Sequence, residues 1–539
     1  MRLPTDEDLA LKTIAAAAAA GITVFDTGRA YGDNERLLAR GLRLCGADAT
    51  ARIVTKAGMA RTAGAWVPDG RARTIRADCE ASLAALAGLP IDLLLVHAPD
   101  PRTPWRTTVR ALARLADEGV VRRVGVANVN RRQLDEAIDV APVAAVEVAL
   151  SVADDRALRG GVLERCAELG LALIAHSPLG GPRRVRGVLR HGALSEVAEA
   201  RNATPGEVAL AWLLELSPAV VAIPGARRPE TARSAARAAR LELAEEDQAV
   251  LARAFAAPGP RTRRPSRGRN GEILLVMGIP GAGKSRVAED YVTRGYVRLN
   301  RDERGGSLRA VAASLEEALA AGARRVVLDN TYLTRASRSY VLEAASRHRL
   351  PTRCVWLETP LAQAQVNLVE RLLDRFGKLP TPDELREVAR SEQGLLLPTS
   401  QMHALRELEP PSPDEGFAAV EQVPFARART SGSAGFFVAA SAVRAGWKPT
   451  DPHAAHLVFD WLPDGSPDDL PELAADVVET SLCPHPGGPP TCWCRPPLPG
   501  LPLAFARAHG IDPARSTLVG TSATHKTLAT NLGSTSVQV

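Results

Sequence analysis

Between residues 22 and 225, seven short apolar runs (ITVFD, RIVTK, IDLLLVH, RVGVAN, AAVEVALS, LALIAHS and AVVAIPG) alternate with amphipathic stretches of helical period. No other feature narrows the fold as far. Strands separated by helices cannot pair as hairpins; they line up in parallel, with each crossover helix packed on the sheet. Seven such units and an eighth strand would close a (β/α)8 TIM barrel over residues 1–257, and chemistry in such a barrel gathers at the carboxyl ends of the strands. Reading those ends gives Asp26, Lys56, His97, Asn128, Ser177 and Gly225, with Tyr31 in the loop after the first. The run that should supply the first strand is almost absent before MRLPTDEDLA, so that strand is expected to be truncated and to leave two sheet edges exposed.

Residues 271–425 carry a second signature. The apolar run Ile273 to Met277 leads directly into GIPGAGKS, in which Gly278, Gly283, Lys284 and Ser285 have the spacing G-x-x-x-x-G-K-S and Gly281 lies inside the loop. Glycines let the backbone curl so that its N–H groups point inward, and the helix that follows adds the positive end of its dipole. The loop is therefore a phosphate cradle for ATP, with Lys284 reaching the outer phosphates and Ser285 offering its hydroxyl to Mg2+. Two further strands, GYVRLNRDE and RRVVLDNTY, bring Asp302 and Asp329 to the same edge, in a P-loop α/β/α domain. In AQVNLVERLLDRFGK, Arg371 and Arg375 are four apart on one helical face, either over the phosphates or as an ordinary solvated face.

The last segment, 426–539, is Pro-rich, with short strands at GFFVAA, HLVFDW and STLVGT, and little apolar core is expected there. Its sharpest feature is the C-x-H-x6-C-x-C pattern of Cys483, His485, Cys492 and Cys494. Three thiolates and an imidazole so close together suit a closed, tetrahedral, structural Zn2+ site. The seven cysteines are otherwise scattered, which fits a reducing compartment and a cytoplasmic protein. Nothing suggests a membrane: acidic residues Asp6, Glu7 and Asp8 precede the poly-Ala run, so it reads as a helix and not a signal peptide. The net charge of +6 is an Arg excess, densest in the linker 258–270, which reads as a solvated hinge or as a binding arm.

With these residues in view, 1–257 resembles the aldo-keto reductase family. FDTGRAYG, VTKAG and LLLVHAPDP supply its tetrad of Asp26, Tyr31, Lys56 and His97. The resemblance implies NADPH-dependent reduction of a small-molecule carbonyl, with Tyr31 as proton donor, Lys56 held by Asp26 and favouring the phenolate, and His97 orienting the carbonyl. Asn128, Ser177 and Gly225 would then hold the cofactor, with Arg227 and Arg228 on its 2′-phosphate. Glu147 stands where the family has Gln, and Ser234 and Ala235 where it has Glu and Asn.

Residues 271–425 resemble the polynucleotide-kinase-like P-loop kinases, an AAA-type ATP-binding fold. That resemblance makes Asp302 the general base on an acceptor hydroxyl, extending to a nucleic-acid 5′-end, and places Asp329 at the Walker-B position and the arginine pair on a lid. Residues 426–539 resemble a small zinc-loop phosphatase of the haloacid dehalogenase superfamily, but Ala439 and Ser441 replace its catalytic carboxylates, CRPPLPG lacks its Lys, and Thr521 and His525 replace its magnesium aspartates. The segment is thus expected to bind zinc without phosphatase chemistry. Two readings of the whole follow. One is a bifunctional carbonyl reductase and hydroxyl kinase; the other is a kinase with a non-catalytic nicotinamide-sensing barrel and a zinc-stabilised docking domain.

Overall fold

The computed structural model describes residues 6–62, 65–255, 271–391, 397–425, 432–488 and 490–539; the Arg-rich linker 258–270 lies outside the described residues. Two compact units emerge, Met1–Thr262 with Thr334–Ser339, and Arg263–Leu333 with Tyr340–Val539. No helix among the described residues is long and apolar enough to cross a membrane.

The first unit is built on a parallel, TIM-barrel-like sheet of seven strands: β1 (Val24–Asp26), β2 (Arg52–Ala57), β5 (Leu93–Val96), β6 (Val124–Ala127), β7 (Val143–Ala149), β8 (Ala172–His176) and β9 (Val220–Ile223). Each pairs with its neighbour in that order. The strands match the seven apolar runs because full burial on both faces of a parallel sheet demands continuous Val, Leu and Ile. Between β2 and β5 the chain adds an antiparallel hairpin, β3 (Met59–Thr62) and β4 (Ala65–Pro68).

Among the described residues β1 and β9 do not pair with each other, and Val24 and Val221 on those edges are 40% and 38% exposed. The helical layer nevertheless continues across the gap. The helix Glu7–Ala19 packs on Asn34–Leu44 to one side and Pro229–Ala238 to the other, burying Ala10, Ile14 and Ala17. Small residues make that approach possible. A Cβ on Gly41 would stand 2.6 Å from Ile14 Cδ1, so a side chain there would push the two helices apart.

The second unit holds two parallel five-stranded sheets. The first, in the order β11-β12-β10-β13-β14, comprises β10 (Glu272–Met277), β11 (Val297–Leu299), β12 (Arg325–Asp329), β13 (Thr352–Glu358) and β14 (Ala419–Pro424). Its central strand β10 buries every residue from Ile273 to Met277. The second sheet, β17-β16-β15-β18-β19, comprises β15 (Phe436–Ala439), β16 (Ala455–Trp461), β17 (Val477–Cys483), β18 (Thr517–Gly520) and β19 (Thr535–Gln538).

Two sequence expectations need correction in this unit. The terminal segment has five strands, not three, and a substantial apolar core around Phe437, Phe459, Trp493 and Phe505. That core draws on residues far apart in sequence, including Val366, Val369, Leu372 and Leu373 of the helix Leu361–Phe376. Truncating one of these buried side chains to alanine would cost about 2–5 kcal/mol. Asp302, expected at a strand end, lies instead in the short helix Arg301–Arg304, because Asn300 ends β11 and caps that helix by accepting the Asp302 N–H at 2.6 Å.

Candidate functional site

Three sites converge from local structure, one in the first unit and two in the second. In the first, Asp26 ends β1, Tyr31 closes the 3-10 turn Arg29–Tyr31, Lys56 lies in β2, and His97 follows β5, its N–H bonded to Ala57 O at 2.9 Å. The buried Lys56 ammonium is ion-paired and hydrogen-bonded to Asp26 and donates to Thr27 O at 3.0 Å. It also lies 5.7 Å from the centroid of the Tyr31 ring. Burial alone would lower the Lys56 pKa, but the Asp26 and Glu147 carboxylates raise it above the usual lysine range, so its charge is fixed.

Glu147 is the neighbour that sequence reading placed only by analogy. Its Oε2 stands 3.1 Å from Lys56 Nζ, at ion-pair distance but off the line of a hydrogen bond. Burial, then the Asp26 carboxylate, push its pKa up to about 8. Asp26 moves the other way: burial would raise its pKa, but the Lys56 charge, further attractive charge and hydrogen bonding together hold it below the usual carboxylate range.

Around the phenol the walls are aromatic. The Tyr31 ring meets His97 edge-on at 5.8 Å and Trp66 of β4 at 5.9 Å, and Trp66 lies 5.7 Å from His97. Sequence reading missed Trp66, because a hairpin between β2 and β5 leaves no mark on the strand-helix alternation. His97 Nδ1 is buried without a hydrogen-bond partner among the described residues, and burial followed by Lys56 lowers the ring's pKa to about 4, so the imidazole is neutral at pH 7.

Asn128 and Ser177, after β6 and β8, both take left-handed backbone, with φ of 56° and 51°. Such conformations in non-glycine residues concentrate at functional sites. Asn128 Nδ2 donates to His97 O at 2.9 Å, and His176 bridges Asn128 Oδ1 and Ser177 Oγ at 3.0 and 3.2 Å. Gly225, Arg227 and Arg228 follow β9 and are exposed. Ser234 donates to Glu207 at 2.8 Å, which accounts for its side chain.

In the second unit the loop Gly278–Gly283 joins β10 to the helix Lys284–Val292. Gly281 and Gly283 have φ of 85° and 92°, and a Cβ on Gly281 would stand 2.3 Å from Ala364 O, so only glycine fits there. Distant residues hold the loop from outside: Asn367 Nδ2 donates to Gly281 O at 2.7 Å, Gln401 Nε2 to Pro280 O at 3.0 Å, and Thr359 Oγ1 to Ala282 O at 3.1 Å. Lys284 Nζ donates to Gly278 O and Ile279 O at 3.1 and 3.0 Å. Desolvation lowers its pKa to about 8, and the charges acting on it are Asp329, Arg371, Asp302 and Arg301.

Of the expected groups, Asp302, Asp329 and Arg371 thus act on Lys284 through their charge, with Ser285 exposed at the helix start and Arg375 one turn beyond Arg371. The buried Asp329 is already engaged. Arg298 Nε and Nη2 donate to its two oxygens at 3.1 and 2.7 Å, an arrangement invisible in the sequence pattern.

The third site lies at the end of β17. The ligand atoms of Cys483, His485, Cys492 and Cys494 all fall within 4.8 Å of one another. Cys483 Sγ is 3.7 Å from Cys492 Sγ, and His485 Nδ1 is 3.2 Å from Cys494 Sγ. Such spacing fits a single tetrahedral ion with Zn–S distances of about 2.3 Å. At the same sheet, Ala439 ends β15, Ser441 follows it and Thr521 follows β18; Ser441 and Thr521 hydroxyls lie 2.7 Å apart, and His525 Nδ1 accepts the Thr521 N–H at 3.2 Å.

Comparison with known proteins gives two family matches, the aldo/keto reductase family over residues 2–254 and an AAA domain over residues 273–390. The aldo-keto reductase str7 of Strobilurus tenacellus is 31% identical over 290 residues, covering 48% of this chain and 85% of that protein. A probable aldo-keto reductase 1 of Glycine max is 29% identical over 276 residues, 45% of this chain and 78% of that protein. Among solved structures, an aldo/keto reductase from Klebsiella pneumoniae in complex with NADP and acetate is 27% identical, with a TM-score of 0.42, over 48% of this chain and 88% of that one.

Proposed function

Since this chain belongs, through residues 2–254, to the aldo/keto reductase family, we propose that its first unit reduces a small-molecule carbonyl with NADPH as hydride donor. The observation that carries this reading is the buried Asp26–Lys56 pair set beside the Tyr31 ring, with neutral His97 on the other side. Tyr31 donates its proton to the carbonyl oxygen. Lys56 stabilises the phenolate left behind, Asp26 holds Lys56 charged, and His97, neutral, orients the carbonyl oxygen through a ring nitrogen. Asn128, Ser177 and Gly225 would hold NADPH, with the exposed Arg227 and Arg228 guanidiniums on its 2′-phosphate. The left-handed backbone at Asn128 and Ser177 supports a binding role for that rim. The test is NADPH oxidation with a panel of aldehydes: native protein should turn over, and Tyr31→Phe should bind NADPH with unchanged fluorescence quenching but lose turnover. Equal turnover in that variant would overturn the assignment.

The second unit reads as an ATP-dependent phosphotransferase acting on a hydroxyl, including a nucleic-acid 5′-end. Supporting this are the glycine-only cradle at Gly281 and the charges gathered around Lys284. ATP would lie in the loop Gly278–Gly283, and Asp302 would accept the acceptor hydroxyl's proton. Ser285 would hold Mg2+. Asp329, held by Arg298, is a weaker magnesium candidate in this arrangement and serves to fix Arg298 at the site. Arg371 and Arg375 would act on the transferring phosphoryl. The Cys483, His485, Cys492 and Cys494 cluster would take structural Zn2+, and the terminal sheet, with alanine and hydroxyl groups in place of carboxylates, would be a pseudophosphatase.

A second reading keeps the kinase and makes the first unit a nicotinamide sensor. What favours it is that, among the described residues, β1 and β9 have no pairing on their outer edges at Val24 and Val221. NADPH binding without turnover on any aldehyde would select it.

A further inference from the structure

Two consecutive residues at the start of the helix Asn34–Leu44 reach back into the rim of the first unit. Glu35 is fully buried, and its two carboxylate oxygens are bound to different elements. Arg29 Nη1, from the turn Arg29–Tyr31, donates to Oε2 at 2.9 Å, and Thr55 Oγ1, from β2, donates to Oε1 at 2.6 Å. Tyr31 lies two residues beyond Arg29, and Lys56 directly follows Thr55. Asn34 acts in parallel: its Nδ2 donates to Thr27 Oγ1 at 2.8 Å, and Thr27 O accepts from Lys56 Nζ at 3.0 Å.

A turn of three residues has little hold of its own on the place of the side chain it carries. Within it the Tyr31 N–H donates to Gly28 O at 2.9 Å, which fixes the turn's shape but not its seat on the sheet. Glu35 meets both the turn and β2, so it supplies that seat. Each carboxylate oxygen accepts separately, one from a guanidinium and one from a hydroxyl, and the charge-assisted bond is the stronger for lying out of water.

We propose that Glu35 is a positioning residue for the proton donor: through Arg29 and Thr55 it clamps the turn that carries Tyr31 onto the strand that carries Lys56. The clamp keeps the phenol ring at its 5.7 Å from the ammonium. Reaction rates are steep in alignment, and a misplacement of about 1 Å costs on the order of 10²-fold. A loosened turn brings the phenol to its aligned position less often. The loss then falls on the chemical step and not on the binding of cofactor or carbonyl. The effect on turnover rests on the reductase reading, whereas the clamp itself does not.

Two measurements on the full chain separate the clamp from the reductase reading. Glu35→Gln keeps the size of the side chain but puts an N–H donor where the carboxylate meets two donors. In hydrogen exchange followed by mass spectrometry, it should speed exchange across Arg29–Tyr31 by roughly fivefold or more while β8 exchanges as in native protein. Should that variant loosen the whole unit, Thr55→Val, which keeps a branched side chain in β2 and removes one arm, is read in the same way. Unchanged exchange in the turn, or general loosening in both variants, would overturn the clamp with or without turnover. In reduction of 4-nitrobenzaldehyde by NADPH, Glu35→Gln should lower kcat by roughly tenfold and leave KM and NADPH fluorescence quenching within about twofold of native. An unchanged kcat, or an equal loss of NADPH binding, would overturn the positioning role. Absence of turnover in native protein would count against the reductase reading, and the exchange result would still decide the clamp.

Discussion

Arg298 donates to both carboxylate oxygens of Asp329, at 3.1 and 2.7 Å, and so closes the end of β12 with a two-pronged ion pair in which the acid is fully buried. The expectation that Asp329 faces a metal thus meets a carboxylate already paired. Removing only the arginine would strand a buried charge. Arg298→Ala should therefore destabilise the second unit by about 3 kcal/mol, and Arg298→Ala with Asp329→Asn by clearly less. Urea unfolding followed by fluorescence measures both; equal losses would mean that the pair contributes packing alone.

Lys284 gives the P-loop a pH dependence whose sign follows from its depressed pKa. Free protein holds the ammonium charged only below about pH 8, and ATP phosphates favour the charged form. ATP affinity should therefore be highest below pH 8 and fall by roughly tenfold per unit above it. Lys284→Arg, which stays charged, should flatten that fall if it binds, and Lys284→Ala should abolish binding. Titration with a fluorescent ATP analogue between pH 6.5 and 9.5 decides.

Asp302 is exposed, with Arg301 Nη2 3.6 Å from its carboxylate, so it can meet an acceptor hydroxyl without breaking a buried contact. Asp302→Asn should spare ATP binding and lower phosphoryl transfer by roughly 10²-fold. Unchanged transfer to an oligonucleotide 5′-hydroxyl and to small alcohols alike would remove it as the base.

The helix Leu361–Phe376 connects the Cys/His cluster to the phosphate loop. On one side Asn367 donates to Gly281 O; on the other Val369, Leu372 and Leu373 join the core that contains Cys483, Cys492 and Trp493, and Asp374 pairs with Arg507. Cys492→Ser should release about one zinc per chain by elemental analysis and weaken ATP binding as well, because the helix loses one of its two supports. ATP affinity untouched by zinc loss would show the helix held by apolar packing alone.

The stability of the first unit should depend on pH through Glu147. Glu147 has its pKa raised by burial, so its contribution is fully present below the unfolded value of 4.5 and is lost as pH rises towards about 8. The melting temperature of native protein should fall relative to Glu147→Gln across that window. Parallel curves would mean that Glu147 titrates as an ordinary surface acid.

Much of this was legible from sequence because the relevant physics is local. Continuous apolar runs at β/α spacing dictated a parallel sheet, and the strand-end rule then selected Asp26, Lys56 and His97 without any knowledge of packing. The cradle of Gly278, Gly281, Gly283 and Lys284 is fixed by backbone freedom within a few residues, and the cysteine-histidine cluster by spacing within twelve. What only the tertiary structure decided depends on which distant elements meet. Glu147 becomes an unusually weak acid because β7 buries it beside Asp26; Arg298 pairs with Asp329 because β11 lies beside β12; and Asn367 and Gln401 reach the loop from 86 and 121 residues away. The terminal segment gained its core in the same way, from a helix outside it. Burial and charge balance are sums over neighbours, and the sequence orders those neighbours along the chain without saying which of them will touch.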